Sequence, residues 1–231
     1  MGQQRLWESV AVRLTTTLFD MDGLLIDSEV LWHEAEVEIL GSLGVPVTSS
    51  EVRSTKGMFV AEVVDHWYRV APWSGPAREV VVSTILTRVG DLVEHKGRLL
   101  PGALRAIELA SSRGGVAVAS STPRELIERC LNHFGLLGRF AAVATAADEQ
   151  YGKPHPAVFL TAARLMDADA NQCLVFEDSG AGVIAAKAAR MTCVAVPATE
   201  DKEQAAFAVA DLVLDSLEDL STTWLDAQFS D

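Results

Sequence analysis

Leu14-Thr15-Thr16-Thr17-Leu18-Phe19-Asp20-Met21-Asp22-Gly23-Leu24-Leu25-Ile26-Asp27-Ser28-Glu29 begins as a run of β-branched and apolar residues, the pattern of a buried strand. The run stops at two aspartates one residue apart, followed by glycine. Two carboxylates that close repel one another, and the end of a buried strand desolvates both. A divalent cation relieves the repulsion, and an all-oxygen donor set suits Mg²⁺. In an open α/β sheet, ligands bind at the carboxyl ends of the strands. Asp20 and Asp22 are therefore read as chemistry rather than as an acidic turn.

Working outward, Ser28 is placed to cap a helix over residues 29–43, with Val30, Leu31, Ala35, Ile39, Leu40 and Leu43 as its apolar stripe and Gly44 closing it. A connection with a short helical turn follows over 45–54, then a break at Lys56-Gly57-Met58. A helix over 59–70, a turn at 71–76 and a long helix from Pro76 to about Lys96 complete a stretch without strand signal. Val80, Val81, Ile85, Val89, Leu92 and Val93 are expected to face inward on that long helix. From residue 103 the pattern changes to alternating short apolar runs and helices. The runs lie at 116–120, 140–145, 173–176, 192–196 and 212–214, and the helices at 103–112, 122–134, 156–166, 182–189 and 217–224. Thr122-Pro123-Arg124-Glu125 reads as a capping box. Such alternation specifies an α/β fold, a mostly parallel sheet with helices on both faces. The expected division is a core of residues 1–29 and 98–231 and an all-helical insert of residues 30–97.

Composition narrows the partners. The 231 residues are 49% hydrophobic and carry a formal net charge of −13, with a pI near 4.8. Nucleic acid and anionic membranes reward basic surfaces, so neither is expected. No stretch is long and apolar enough to span a bilayer, and residues 1–13 lack the order of a signal peptide and read as a leader. Cys130, Cys173 and Cys193 are odd in number and form no metal-spaced cluster, which suggests reduced core thiols in a cytoplasmic protein; a monomer is expected.

Three further constellations stand at strand ends. Ser120-Ser121-Thr122 brings hydroxyls next to a helix N-terminus, a setting for an anion. Lys153, between Gly152 and Pro154 on a stiff loop, offers a fixed point charge to a phosphoryl oxygen or a buried carboxylate, while His155 is given no catalytic role. Glu177-Asp178 ends the strand at 173–176. Neighbouring strand residues face opposite ways, so one of the two is expected to ligate a metal and the other to support it, with Asp178 the preferred ligand. Together these residues form a site for a cation and a phosphate.

Asp20-Met21-Asp22, Ser120, Lys153 and Glu177-Asp178, in that order, resemble the four motifs of the haloacid dehalogenase superfamily, and the likeness covers almost the whole chain. Residues 19–29, Val63-Val64-Asp65-His66-Trp67-Tyr68 and Lys153-Pro154-His155-Pro156 narrow it to bacterial phosphatases of sugar alcohols and deoxy sugars. The resemblance implies a Rossmannoid core with a small helical cap and a Mg²⁺-dependent phosphatase acting on small sugar or polyol phosphates. Asp20 is then the nucleophile and Asp22 the acid and base. Ser120, the Ser121 N–H and Lys153 hold phosphate. Asp20, the Asp22 carbonyl and Asp178 hold Mg²⁺, with Glu177 behind them. Dehalogenases of the superfamily lack the second acid, which is present here. β-Phosphoglucomutases, the alternative reading, typically carry histidine at the position of Trp32, with His33 following here. A phosphonatase-like role for Lys56 is disfavoured. Substrate choice is expected to reside in the cap, with residues 56–58 near the site and Trp67 and Tyr68 in helix packing.

Overall fold

The computed structural model describes residues 13–52 and 58–229. The leader at residues 1–12 and the break at Lys56-Gly57 lie outside them. β1 (Thr16–Phe19) is followed by α1 (Glu29–Ser42), α2 (Ser49–Val52), α3 (Val60–Val70) and α4 (Arg78–Lys96) before any second strand. Then come α5 (Ala103–Ser111), β2 (Gly115–Ser120), α6 (Arg124–His133), β3 (Ala142–Thr145), α7 (Ala157–Leu165), β4 (Cys173–Glu177), α8 (Gly180–Ala188), β5 (Thr192–Ala195), β6 (Leu212–Val213) and α9 (Thr222–Phe229). The six strands form one sheet in the order β3-β2-β1-β4-β5-β6, and every pairing is parallel.

This order puts β1 between β2 and β4, where the chain reverses its direction across the sheet. The register sets the strand ends level: Phe19 pairs with Val118 on one side and Phe176 on the other. Asp20 therefore emerges level with Glu177, and its N–H still donates to the Phe176 carbonyl at 3.1 Å. A ligand crevice belongs at such a reversal, outside the carboxyl ends.

Side chains alternate between two cores. Phe19, Val116, Val118, Leu174 and Phe176 face one cluster. Leu18, Ala117, Ala119, Cys173 and Val175 face the other. The Phe19 and Phe176 rings stack at 5.0 Å directly beneath the site, so the floor under Asp20 is rigid. The alanines on the opposite face let α7 and α8 pack close to the sheet.

Several expectations shift. Val30 and Val80, read as inward, are 61% and 52% exposed. Glu36 is buried on α1 instead, and Gly90 on α4. The closing helix does not run through 217–224: a 3-10 turn at Leu217–Asp219 breaks at Leu220-Ser221, and α9 starts at Thr222. The Ser216 hydroxyl accepts from the Glu218 N–H and so caps the short turn, while α9 starts afresh at Thr222. Trp67 packs in the insert's core, and Tyr68 stands edge-on to Trp73 at 4.7 Å. All three cysteines are free and buried. Burial pushes the Cys173 thiol up to about 11, which makes it inert. No helix among the described residues is long and apolar enough to cross a membrane.

Candidate active site

Asp20, Asp22, Ser120, Ser121, Lys153 and Asp178 line one cavity of about 120 Å³, closed on the insert side by Glu29, Trp32, His33, Glu36, Val52, Met58 and Val60. Residues separated by up to 158 positions thus converge because four parallel strands end level. Met58 faces this space, and Trp67 is not among its lining residues.

Lys153 is the hub. Its Nζ donates to Asp20 Oδ1 at 2.7 Å, to Glu177 Oε1 at 2.5 Å and to the Ala119 carbonyl at 3.2 Å. Its side chain is 4% exposed, and those of Asp20 and Glu177 are 8% and 1%. Burial alone lowers a lysine. Here the Asp20 and Glu177 carboxylates outweigh it and hold the ammonium above its ordinary range. Burial pushes Asp20 the other way, up to about 7; Glu177 and Asp22 add to that, and Lys153 opposes it. Glu177 is fixed by the Ser179 N–H and hydroxyl, both at 3.0 Å. A Cβ on Gly182 would fall on the Glu177 carboxylate, so the first turn of α8 needs glycine to approach it.

Asp22 is clasped by three donors from three places: Ser28 Oγ at 2.7 Å, Trp32 Nε1 at 2.9 Å and Thr122 Oγ1 at 2.7 Å. This corrects two expectations. Ser28 and Thr122 occupy helix N-terminal positions, yet neither side chain caps. α1 has no side-chain cap bond, and α6 starts on Pro123 without one. Each hydroxyl instead donates to the Asp22 carboxylate, a charge-assisted hydrogen bond. The sequence reading leaves Ser28 and Trp32 out of the candidate site and places Thr122 beside the anion, not on Asp22. A hydroxyl flanking an Asp-x-Asp loop was the available signal for Ser28. The 100-residue separation of Thr122 from Asp22 hid the other. Removing one of these bonds, by Thr122→Val or Trp32→Phe, is expected to lower kcat about 10- to 100-fold, the worth of a hydrogen bond to a charged group. Circular dichroism should remain unchanged; initial rates at saturating substrate check it.

The oxygens present fit Mg²⁺. Gly23, at φ 73, brings the Asp20–Gly23 turn so close to Asp178 that a Cβ there would overlap the Asp178 carboxylate. Asp20 and Asp178 are 6% and 5% exposed. Buried acids in contact with one turn, with Asp20 pushed up by burial, are stabilised as anions by a cation. Among the described residues no three His, Cys, Asp or Glu side chains gather with metal-holding geometry. Mg²⁺ needs only one or two carboxylates, because it keeps several waters.

Glu36 stands apart on the insert wall. It is 5% exposed, its Oε2 has no hydrogen-bond partner among the described residues, and burial pushes it up to about 7. A raised acid binds its proton in the folded chain over a window where the unfolded chain has lost it. Stability contributed by this group is therefore lost as pH rises from about 4.5 to about 7. Glu36→Gln should remove that loss, making the variant more stable than the parent by about 3 kcal/mol above pH 7 and equal to it near pH 4. Urea unfolding of both proteins at pH 4.5 and 7.5 checks the sign.

Residues 14–190 match the family model of haloacid dehalogenase-like hydrolases. The chain belongs to that family. Hexitol phosphatase B of Escherichia coli K12 is 42% identical over 211 residues, covering 90% of this chain and 95% of that protein. Validoxylamine A 7'-phosphate phosphatase of Streptomyces hygroscopicus subsp. limoneus is 33% identical over 202 residues, 87% of this chain and 92% of that protein. Among solved structures, CbbY from Rhodobacter sphaeroides in complex with phosphate superposes with a TM-score of 0.81 at 28% identity, over 90% of this chain and 96% of that one.

Proposed function

We propose that the protein is a Mg²⁺-dependent phosphatase of small sugar or sugar-alcohol phosphates, acting in the cytoplasm through an aspartyl-phosphate on Asp20. The observation that carries this reading is the buried pairing of Asp20 with Lys153 beside a second, clasped aspartate in one cavity. The relatives named above, phosphatases of a hexitol and of validoxylamine A 7'-phosphate by their names, support the substrate class.

Asp20 attacks phosphorus, and the bond from phosphorus to the leaving oxygen breaks. Asp22, held toward the site by Ser28, Trp32 and Thr122, gives its proton to that oxygen. It then takes a proton from water, whose oxygen attacks the aspartyl-phosphate, releasing inorganic phosphate and regenerating Asp20. Ser120, the Ser121 N–H and Lys153 stabilise the equatorial oxygens. Mg²⁺, which Asp20, the Asp22 carbonyl and Asp178 would hold, supplies charge neutralisation between two anions. Glu177 keeps Lys153 in place. Residues 30–97 serve as a cap over a core of residues 1–29 and 98–231, and its opening admits substrate and water.

Trp32 favours this reading over the mutase. An indole N–H only donates, so it fixes Asp22 without offering a second proton carrier. The test is phosphate release over a panel of sugar, polyol and nucleotide monophosphates. Release from hexitol or hexose phosphates is expected, abolished by chelator and restored by added Mg²⁺. Isomerisation of glucose 1-phosphate without net phosphate release would replace hydrolysis by mutase chemistry.

A further inference from the structure

Glu29, Trp32, His33 and Glu36 follow the i, i+3, i+4, i+7 spacing on α1, so they share one helix face, and all four line the cavity. Glu29 and His33 each have interaction partners, and Trp32 is committed to Asp22. Glu36 differs. Among the described residues its Oε2 is buried without a partner, and beyond α1 the insert side of the cavity is apolar: Val52, Met58 and Val60. A buried carboxyl in such a setting opposes folding unless something supplies hydrogen bonds.

Its place along the helix limits what that something can be. Ser28, which touches Asp22, precedes Glu36 by eight residues, about 12 Å of helix axis. Side chains on a helix lean toward its N-terminus, so the Glu36 carboxyl is inclined back toward the site. A phosphate held at Asp20 and Lys153 leaves a five- or six-carbon chain reaching along α1. Its far hydroxyls are neutral donors, which a carboxylate accepts at short range. A second phosphate or a terminal carboxylate would instead meet a like charge.

We propose that Glu36 is the specificity-determining residue of the insert, accepting hydrogen bonds from hydroxyls of a neutral polyol chain at the end remote from its phosphate. This rests on the phosphatase reading of the same cavity. The assignment explains why the chain keeps an unsatisfied acid where a leucine would pack.

The experiment compares sorbitol 6-phosphate with hexyl phosphate, an ester of like length without hydroxyls, on the parent, Glu36→Gln and Glu36→Leu. The ratio of kcat/KM for sorbitol 6-phosphate over hexyl phosphate is expected to fall severalfold in Glu36→Gln. In Glu36→Leu it should fall about 100-fold, the loss of one to two charge-assisted bonds, carried mainly by KM. Hexyl phosphate hydrolysis should rise in the leucine variant, whose wall suits an alkyl chain. Without ligand, the melting temperature of Glu36→Leu should rise at pH 7.5. Equal loss for both esters with a lowered melting temperature makes Glu36 a structural residue and overturns the proposal, as does an unchanged ratio. If the parent hydrolyses neither ester, the phosphatase reading fails. The upward shift in melting temperature on adding sorbitol 6-phosphate then decides about Glu36 alone: present in the parent and absent in Glu36→Leu supports it, and equal shifts overturn it.

Discussion

Asp20→Asn is expected to abolish phosphate release, with kcat reduced by roughly 10⁴-fold or more, the scale seen when a covalent nucleophile is removed. The amide has the shape of the carboxylate and keeps a carbonyl oxygen toward Lys153, so the hub of Lys153 and Glu177 stays paired. Little stability should be lost. Burial already pushes Asp20 up to about 7, so at neutral pH the folded chain tolerates its charge only because Lys153 opposes that push. Replacing the acid by a neutral group removes a desolvation cost together with an ion pair. The melting temperature should therefore stay within a few degrees while turnover disappears. A variant that still releases phosphate within tenfold of the parent would assign the attack on phosphorus to another group.

Lys153→Met is expected to have the opposite balance, losing both activity and fold. Lys153 reaches Asp20 and Glu177 from a side chain only 4% exposed. Without it two buried carboxyl groups face each other with no cation among their described partners. Breaking a buried pair by removing one member costs about 3–5 kcal/mol. The loss should shrink on acidification. Asp20 has a raised folded-state pKa, so its folded form gains a proton the unfolded chain lacks at the same pH, and a protonated Asp20 no longer repels Glu177. Thermal melting of the variant from pH 8 to pH 5 should show rising stability, while phosphate release stays at least 10³-fold down for lack of the charge on the equatorial oxygens. A variant that melts like the parent at pH 8 would mean that the buried trio contributes no net stability.

Much of the architecture was legible in the chain because the signals are local. A strand that runs into Asp20-Met21-Asp22, helices that begin with hydroxyl or proline residues and apolar runs at even spacing each depend on a few neighbouring residues. They led to a mostly parallel sheet with an all-helical stretch after the first strand, and every strand pairing is parallel. The errors arose where a residue's partner lies far away in sequence. Val30 and Val80 fit an apolar stripe by period, but the stripe is only as wide as the surface it meets, and both face solvent. Glu36 breaks that stripe as a charged residue and is nevertheless buried, because α1 turns this position to a cavity rather than to water.

The candidate site divides in the same way. Asp20, Asp22, Ser120, Ser121, Glu177 and Asp178 stand out because a buried strand ending in polar or charged residues is unusual on energetic grounds, and Lys153 stands out by its place between glycine and proline on a loop. Ser28 and Thr122 read as caps for a related reason: spacing reveals that a hydroxyl sits at a helix start, but not which group that hydroxyl meets. Each hydroxyl can accept from a backbone N–H and donate its proton elsewhere, and the fold brings the Asp22 carboxylate within 2.7 Å to receive that proton. The chain by itself determined which groups could do chemistry, because their cost of burial is written in their own neighbours. Only the tertiary structure decided which groups meet, since the level ends of β1, β2, β3 and β4 and the placement of α1 over them set the distances on which hydrogen bonds and charge interactions depend.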